Sequence, residues 1–227
     1  MSKGRAIELI SLGDKLFTDK AMLDSLCQEI ADNVYPERAD FVRVRVLGED
    51  WAAHLMDSYP VLARRELGNS MSAIRRPRDQ QWFATTTLND AMDNDPGNAR
   101  FLEYLTKTLR ARMYNPRTDF IGATKGGDHD FVTFGNAIIS VEEAASRDHL
   151  FYRLHHLRDC AWLENEINAV DHLHRKDEMS ARQMIRKFGE SKVHKAVRQA
   201  AEKEPHRKFK LRVVTMPSDE YDYMGED

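Results

Sequence analysis

The sequence of 227 residues lacks the features of secreted, membrane-spanning and disulfide-stabilised proteins. Its two cysteines, Cys27 and Cys160, cannot build a disulfide framework and are typical of a reducing compartment. The N-terminal residues 1–16 mix charged with apolar side chains, so they have neither the apolar core nor the cleavage site of a signal peptide. No stretch approaches the roughly 18 uncharged apolar residues of a membrane helix. We therefore expect neither secretion nor membrane insertion.

The chain also lacks an excess of either charge. Its 34 lysines and arginines face 37 acidic residues, a net charge of −3 that points to no particular partner such as nucleic acid or an acidic membrane. There is no internal repeat and no low-complexity tract. With 41% hydrophobic and 31% charged residues, the composition is that of a globular protein with one large domain or two small ones.

Apolar residues recur at helical spacing in the first half of the chain. The pattern predicts a helix or helix pair over 4–35 and further helices over 61–74 and 96–113. Asp95 and Pro96 have the residue types preferred at an N-cap and at the first helical position. Segment 118–134 also has an approximate helical period, but two adjacent glycines at 126 and 127 interrupt it. Each glycine costs about 1 kcal/mol relative to alanine, so we expect a kink or short loop there.

The rest of the chain predicts a small sheet followed by short helices. Residues 137–141 and 150–157 have strand patterns, and 160–164 with 169–175 are expected to form a hairpin whose asparagines, Asn165 and Asn168, suit a tight turn. Capping-box spacing at Ser180 and Gln183 then predicts a helix that stops at Gly189. Another helix is expected over 191–203 and a strand over 209–214, giving an α+β fold.

Motifs that carry catalysis are missing. The sequence has no phosphate-binding glycine loop, nucleophile elbow or metalloprotease motif. The best metal geometry is His172 and His174 on one face of a strand with Asp171 beside them, and no second cluster completes the ligand set. We expect no metal and no cofactor. A metal-dependent nuclease or hydrolase built on these three residues remains an alternative.

The stretch 126–131, Gly-Gly-Asp-His-Asp-Phe, superficially resembles the signature loop of diguanylate cyclases. It has an extra residue, and its flanks are helical rather than paired strands, which argues against that activity.

Residues 58–83 combine a helix rich in small residues, a stop at Pro77 and the aromatic pair Trp82 and Phe83. In order and spacing this segment resembles the head-to-tail connector, or portal, proteins of short-tailed, podovirus-type bacteriophages. The resemblance continues in register over nearly the whole chain, through Val34 to Pro36, Phe120, Asp130, Phe131, Phe134, Gly135, the strand 137–142, Val170, Asp171, Arg175, Met179 to Gln183, Lys187 to Gly189 and the strand 208–216. It departs at Asn168, where the family's hairpin commonly has glycine, and at the glycine pair, which falls in a helix that the family usually keeps continuous.

The resemblance implies a division into three parts. Residues 1–175 would form a wing-like α/β domain, 176–205 a stem-like helical segment, and 206–227 the start of the clip region with an acidic tail. Portal subunits of the family are longer, so the chain is expected to be an N-terminal portion or a shortened product. Alone it would then assemble poorly, because an unpaired stem helix would leave Val193 and Val197 partly exposed.

The implied function is mechanical rather than enzymatic. A ring of subunits, usually twelve, sits at one capsid vertex of the virion after assembly in the bacterial cytoplasm. It docks the terminase large subunit, binds capsid and tail adaptor proteins, and passes double-stranded DNA without sequence specificity during packaging and ejection. No membrane partner is implied in the assembled head. A DNA-binding adaptor module unrelated to portals is the other alternative.

Basic residues concentrate in one segment. Between 180 and 212, eleven basic and three acidic residues give a net charge of +8, whereas the last ten residues carry −5. The candidate contact residues are Arg182, Arg186, Lys187, Lys192, Lys195 and Arg198. They suit either phosphate backbones or acidic segments of neighbouring subunits. Contact with subunits or tail proteins is favoured, because a channel through which DNA slides should not hold it tightly.

The aromatic pair is assigned a structural role. Trp82 and Phe83 follow the helix stop and are expected to be packing anchors that cover the apolar stripe of Leu67, Met71 and Ile74.

Overall fold

The computed structural model describes residues 3–46, 48–53, 55–77, 79–144, 148–218 and 220. Within them the chain is an α+β protein of helices and two small antiparallel sheets, which confirms the expected fold class. It divides into two compact units. The first unit is drawn from Met1–Gln28, Asp40–Arg45 and His156–Asp227, and the second from Glu29–Ala39 and Val46–His155.

The helices follow the predicted periodicity closely. They are α1 (Lys3–Asp19), α2 (Ala21–Val34), α3 (Tyr59–Arg75), α4 (Asp90–Asp93), α5 (Pro96–Met113), α6 (Phe120–Phe134), α7 (Ala181–Phe188) and α8 (Lys195–Lys203). Asp95 caps α5 as expected, since its carboxylate accepts hydrogen bonds from the backbone N–H groups of Gly97 and Asn98. The single turn α4 was not predicted, and its N-cap is the side chain of Asn89.

The strands form two sheets. β1 (Ile138–Glu143) pairs with β2 (Leu150–His155), and β4 (Val170–Ser180) pairs on one side with β3 (Cys160–Glu164) and on the other with β5 (Lys208–Thr215). All pairings are antiparallel. The predicted β3–β4 hairpin is confirmed, with Asn168 at a φ of +57° in its turn. The Asn165 side chain supports that turn by accepting hydrogen bonds from two backbone N–H groups within it.

In the first unit, one lysine joins the helices to the sheet. Lys20, at the junction of α1 and α2, donates to the carbonyl oxygens of Leu157 and Cys160 at 2.6 Å each. Asp24, one turn further along α2, pairs with the same ammonium at 3.1 Å. The side chain is largely buried, so the three acceptors replace the water that the charge gives up.

In the second unit, α6 packs against α3 on one side and the β1–β2 hairpin on another. Contrary to the expected kink or loop, α6 is continuous through its two glycines. A Cβ at Gly126 would lie 2.7 Å from Leu154, and one at Gly127 would lie 2.9 Å from Ile139. The glycines therefore let the hairpin approach the helix, and this packing compensates for their low helix propensity.

Two carboxylates on α6 are almost completely buried and paired with arginines. Asp130, 1% exposed, forms a two-pronged ion pair with Arg38. Asp128, 3% exposed, binds the guanidinium of Arg76 and accepts a 2.6 Å hydrogen bond from Ser72 of α3. The stretch that superficially resembles a cyclase loop thus lies inside a helix, with its acidic residues engaged in packing.

His129 sits between these carboxylates on the same helix and faces α3. Arg64 donates to its Nδ1 across 3.1 Å, and because a guanidinium cannot accept, that nitrogen must be unprotonated. The same guanidinium lies 3.7 Å over the Tyr35 ring and bonds the Val34 carbonyl. Burial, then the charges of Arg64 and Lys125, lower the pKa of His129 below its usual value. The carboxylates of Asp128 and Asp130 act in the opposite direction.

Trp82 and Phe83 are half-buried in the second unit, but not against the stripe assigned to them. Trp82 stacks parallel to Phe120, with ring centroids 6.4 Å apart, and its indole N–H donates to the Tyr114 hydroxyl at 3.0 Å. On α3, Leu67 is 53% and Ile74 80% exposed, so the expectation that this stripe is covered was wrong. The position of Phe120 near the start of α6 explains the change, because its ring is 5% exposed and offers a better apolar surface.

We predict that Trp82→Ala lowers the free energy of unfolding by about 2 to 4 kcal/mol, measured by urea denaturation. The substitution removes the stacked ring and leaves the Tyr114 hydroxyl without its donor. Trp82→Phe keeps the stacking and should cost only about 1 kcal/mol. Tyr104→Ala, at a mostly exposed position of α5, is the control and should stay within about 0.5 kcal/mol. A comparably small effect for Trp82→Ala would contradict the packing role.

We also predict that His129 makes the protein less stable in mild acid. Its folded-state pKa lies below the reference value of 6.5, so the unfolded chain binds the proton more readily. The stability that neutral His129 contributes is present above pH 6.5 and is lost as the pH falls from 6.5 toward the lower folded-state pKa. His129→Asn keeps an acceptor near Nδ1 without a titrating group. The difference in unfolding free energy between about pH 7.5 and 5.5 should therefore be smaller in the variant, and equal differences would refute the assignment.

Candidate nucleic-acid or subunit interface

The six candidate contact residues lie on or beside two short helices of the first unit. Arg182, Arg186 and Lys187 belong to α7, Lys195 and Arg198 to α8, and Lys192 precedes α8. All six are exposed. We refer to these six residues as the basic surface.

Local sequence fixes where the first of these helices begins and ends. The Ser180 hydroxyl accepts from the backbone N–H of Gln183, and the Gln183 side chain accepts from the backbone N–H of Ser180. This capping box was predicted from the sequence and is confirmed. At the other end Gly189 takes a φ of +84°, a conformation in which a β-carbon would be strained. The second helix is shorter than predicted, because its first residue is Lys195 and His194 caps it.

The apolar faces of both helices pack together inside the first unit. A buried cluster consists of Ala181, Val193, Val197 and Ala200, with Met184, Ile185 and Phe209 packed against it. Val193 is 7% and Val197 4% exposed. The expectation that these valines would be left partly exposed was therefore wrong. Phe209 on β5 and the neighbouring helix supply the covering surface that an unpaired helix would have lacked.

Turning the apolar faces inward leaves the cations outside. Within the described residues, no carboxylate lies within ion-pair distance of Arg182, Arg186, Lys192, Lys195 or Arg198. Lys187 lies over the Phe188 ring at 6.0 Å. Nearby cations on the adjoining elements are partly matched, since Arg207 pairs with Glu204 and Lys208 with Glu178, each at 3.8 Å. These five exposed cations concentrate positive charge on one part of the first unit, and such a concentration suits an acidic partner.

The histidines of β4 do not assemble the proposed metal site. His172 and His174 point to one side of the strand and are both buried, as expected from their spacing. Asp171 is the extra residue at a register shift of β4 opposite Leu163 and Glu164, and the structure, which describes all three residues, gives it no contact with either histidine. The acid beside His172 is Glu220, at 2.9 Å from Nε2. Among the described residues, no three histidine, cysteine, aspartate or glutamate side chains come together in a way that would hold a metal ion.

His174 instead faces cations and backbone. It is fully buried, and its Nδ1 and an Arg212 nitrogen would lie 2.6 and 2.9 Å from a β-carbon placed on Gly13 of α1. Burial, followed by the charges of Arg212 and His172, lowers the pKa of His174. Arg212 is held by Asp14 at 2.6 Å. This arrangement fits a neutral histidine packed beneath a helix rather than a ligand to a cation.

The two cysteines are both buried in the first unit, as is usual for cysteines that pack as small apolar residues. Burial raises the pKa of the Cys160 thiol to about 12, so it stays protonated and is a poor nucleophile. No helix in the described part of the chain has the length and apolar character needed to cross a membrane.

Comparison with known proteins identifies the family. The family model described as "Bacteriophage head to tail connecting protein" matches residues 6–227. None of the curated proteins compared with the chain matches it. The match spans both units and every element described above, and it agrees with the resemblance carried by the segment 58–83. Proteins of this kind are structural components of the virion that assemble with phage head and tail parts. The chain therefore belongs to the family of bacteriophage head-to-tail connecting proteins.

Proposed function

We propose that this protein is a portal subunit, and that copies of it form a closed ring, of about twelve subunits, around double-stranded DNA at one capsid vertex. The observation that carries the proposal is the family match over residues 6–227. In this role the ring docks the terminase large subunit during packaging in the host cytoplasm, later binds tail adaptor proteins, and guides the genome outward at ejection. It performs no catalysis itself.

The division into a wing over 1–175, a stem segment over 176–205 and the start of a clip over 206–227 is part of the same proposal. In the structure the three parts share elements. β4 runs from Val170 to Ser180 across the first boundary, and it pairs with β5 along Lys208–Thr215. The proposed stem segment is therefore the α7–α8 connection between two paired strands. Its buried cluster packs the two helices together against Phe209 of β5.

We assign the basic surface to contacts with acidic segments of neighbouring subunits or tail proteins. Five of its six cations, all but Lys187, have no carboxylate within ion-pair distance among the described residues, whereas the C-terminal sequence 218–227 carries five acidic residues. Such contacts fix orientation between subunits and suppress wrong partners. Duplex DNA is the other acidic partner, and tight binding to it would oppose the sliding that a channel requires.

The ring itself is the first test. We predict that the purified gene product, imaged by negative-stain electron microscopy, forms rings with a central hole, and that light scattering gives a mass of many subunits. A closed ring needs each subunit to present two different complementary faces, so its mass should reach a fixed value rather than grow with concentration. A stable monomer at all concentrations would refute the portal proposal.

The second test reverses charge on the basic surface. We predict that Arg186→Glu with Arg198→Glu weakens binding between subunits, or to the tail protein, by about 1 to 2 kcal/mol per interface, roughly tenfold in dissociation constant. Lys15→Glu with Arg100→Glu, at exposed positions of α1 and α5, gives the same net charge and is the matched control. Circular dichroism checks that both variants fold.

The same pair of variants distinguishes the acidic partners. If assembly is unaffected, and only the salt-dependent retention of duplex DNA is lost in the first variant, the basic surface contacts DNA and the subunit assignment is wrong. Equal effects of both variants on assembly would mean that net charge alone matters.

A further inference from the structure

A short segment between α2 and α3 has the sequence of a strand but is not paired as one. Residues 42–46 read Val-Arg-Val-Arg-Val, the strict alternation of a strand with one apolar face. In the structure they lie outside both sheets, with bends at Val42 and Arg43, and Val42, Val44 and Val46 are 61%, 90% and 69% exposed. Three alternate valines that are all exposed are unusual for a β-forming sequence, and they indicate an interaction surface.

The segment is held in place at its N-terminal end. Before it, Phe41 is buried with its ring edge-on to His156, 4.7 Å between centroids, and Arg158 donates to the Asp40 carbonyl at 2.8 Å. The Val42 N–H donates to the Gln28 side chain at 3.0 Å. After it, the Val46 carbonyl accepts from the Glu49 N–H at 3.1 Å. A segment whose first residues are anchored in this way loses less entropy on pairing with another strand than a free one would.

We propose that residues 42–46 add as an antiparallel strand to the open edge of β1 in a second copy of this chain. The inference rests on the proposed assembly of copies, and it names the contact. Adding a strand to a sheet edge uses main-chain hydrogen bonds for affinity, while alternate side chains set the register.

Charge selects β1 among the available edges. In its two-stranded sheet, β1 has one edge that is not paired with β2. It ends in Glu142 and Glu143, and its Val141 is 54% exposed. The edge strands of the other sheet fit less well. β5 carries three cations that would repel the two arginines of the segment, and β3 carries a single acid, Glu164. β2, the other strand of the β1–β2 hairpin, carries Arg153 and no acidic residue, so β1 is the better match for the two arginines.

One register satisfies both faces of the new strand pair. When Val44 lies opposite Val141, Val46 lies opposite Ile139 on the same face. On the other face, Arg43 then lies opposite Glu142. Directly opposed residues of antiparallel strands share a face, so the valines extend an apolar strip while the opposite charges meet. A shift of one residue in one direction would place Arg43 opposite Val141, and a shift in the other would place Val44 opposite Glu142, so either shift loses the pairing of Val44 with Val141.

Cysteine cross-linking between two different variants tests the contact. Val44→Cys and Val141→Cys proteins are mixed and oxidised, and the mixed disulfide dimer is counted on a non-reducing gel. The native cysteines are buried and do not compete. Val44→Cys mixed with Ile121→Cys, which is 45% exposed on α6, measures random collision. We expect the first pair to form at least tenfold more mixed dimer, because a disulfide requires β-carbons about 4 Å apart.

A charge swap provides the second arm. Introducing Arg43→Glu into the Val44→Cys protein should reduce the mixed dimer severalfold, and introducing Glu142→Arg into its Val141→Cys partner should restore it. Mixed dimer at the collision level, a preference for Val44→Cys homodimers, or no effect of the charge swap would each overturn the inference. If the mixed cysteine variants form rings but give no mixed disulfide dimer above the collision level, the inference is overturned while the proposed function stands.

Discussion

Pairing of buried carboxylates with arginines is the constraint on which the second unit depends. Asp128 and Asp130 have lost nearly all contact with water, and an ionised carboxylate in that position is tolerated only when a cation and hydrogen bonds replace the solvent. Arg76 and Arg38 supply those charges from the end of α3 and from the turn after α2. Because each arginine must reach its carboxylate, the rotation of α6 about its axis is fixed. That rotation in turn directs the two glycines of α6 toward the hairpin and Phe120 toward Trp82.

Features governed by local chemistry could be predicted from the sequence. The caps at Asp95 and Ser180, the asparagine turn of the β3–β4 hairpin and most helix limits depend on residues within a few positions of one another. The α+β class follows from the same periodicities. These interactions leave a signature in the order of residue types, because the partners are neighbours along the chain.

Features governed by distant partners could not be predicted in that way. Gly126 and Gly127 look like a helix break until the side chains of Leu154 and Ile139 are found against them. Val193 and Val197 look unpartnered until Phe209 and Ala181 are seen to cover them. The ion pairs of α6 join residues 52 and 92 positions apart. For the candidate interface, the sequence showed where the cations concentrate, but not the buried cluster of Ala181, Val193, Val197 and Ala200 on which the two short helices pack.

The way the chain is divided between the two units has a consequence for its synthesis. Residues of the second unit lie almost wholly between 29 and 155, whereas the first unit brings Lys20 to carbonyls 137 and 140 positions later and Asp14 to Arg212, 198 positions later. Because the ribosome synthesises the chain from its N-terminus, all segments of the second unit are released well before all segments of the first unit. During that interval α1 lacks its contacts with β3. The first helix to be synthesised therefore completes its long-range contacts only after the C-terminal strands have been released.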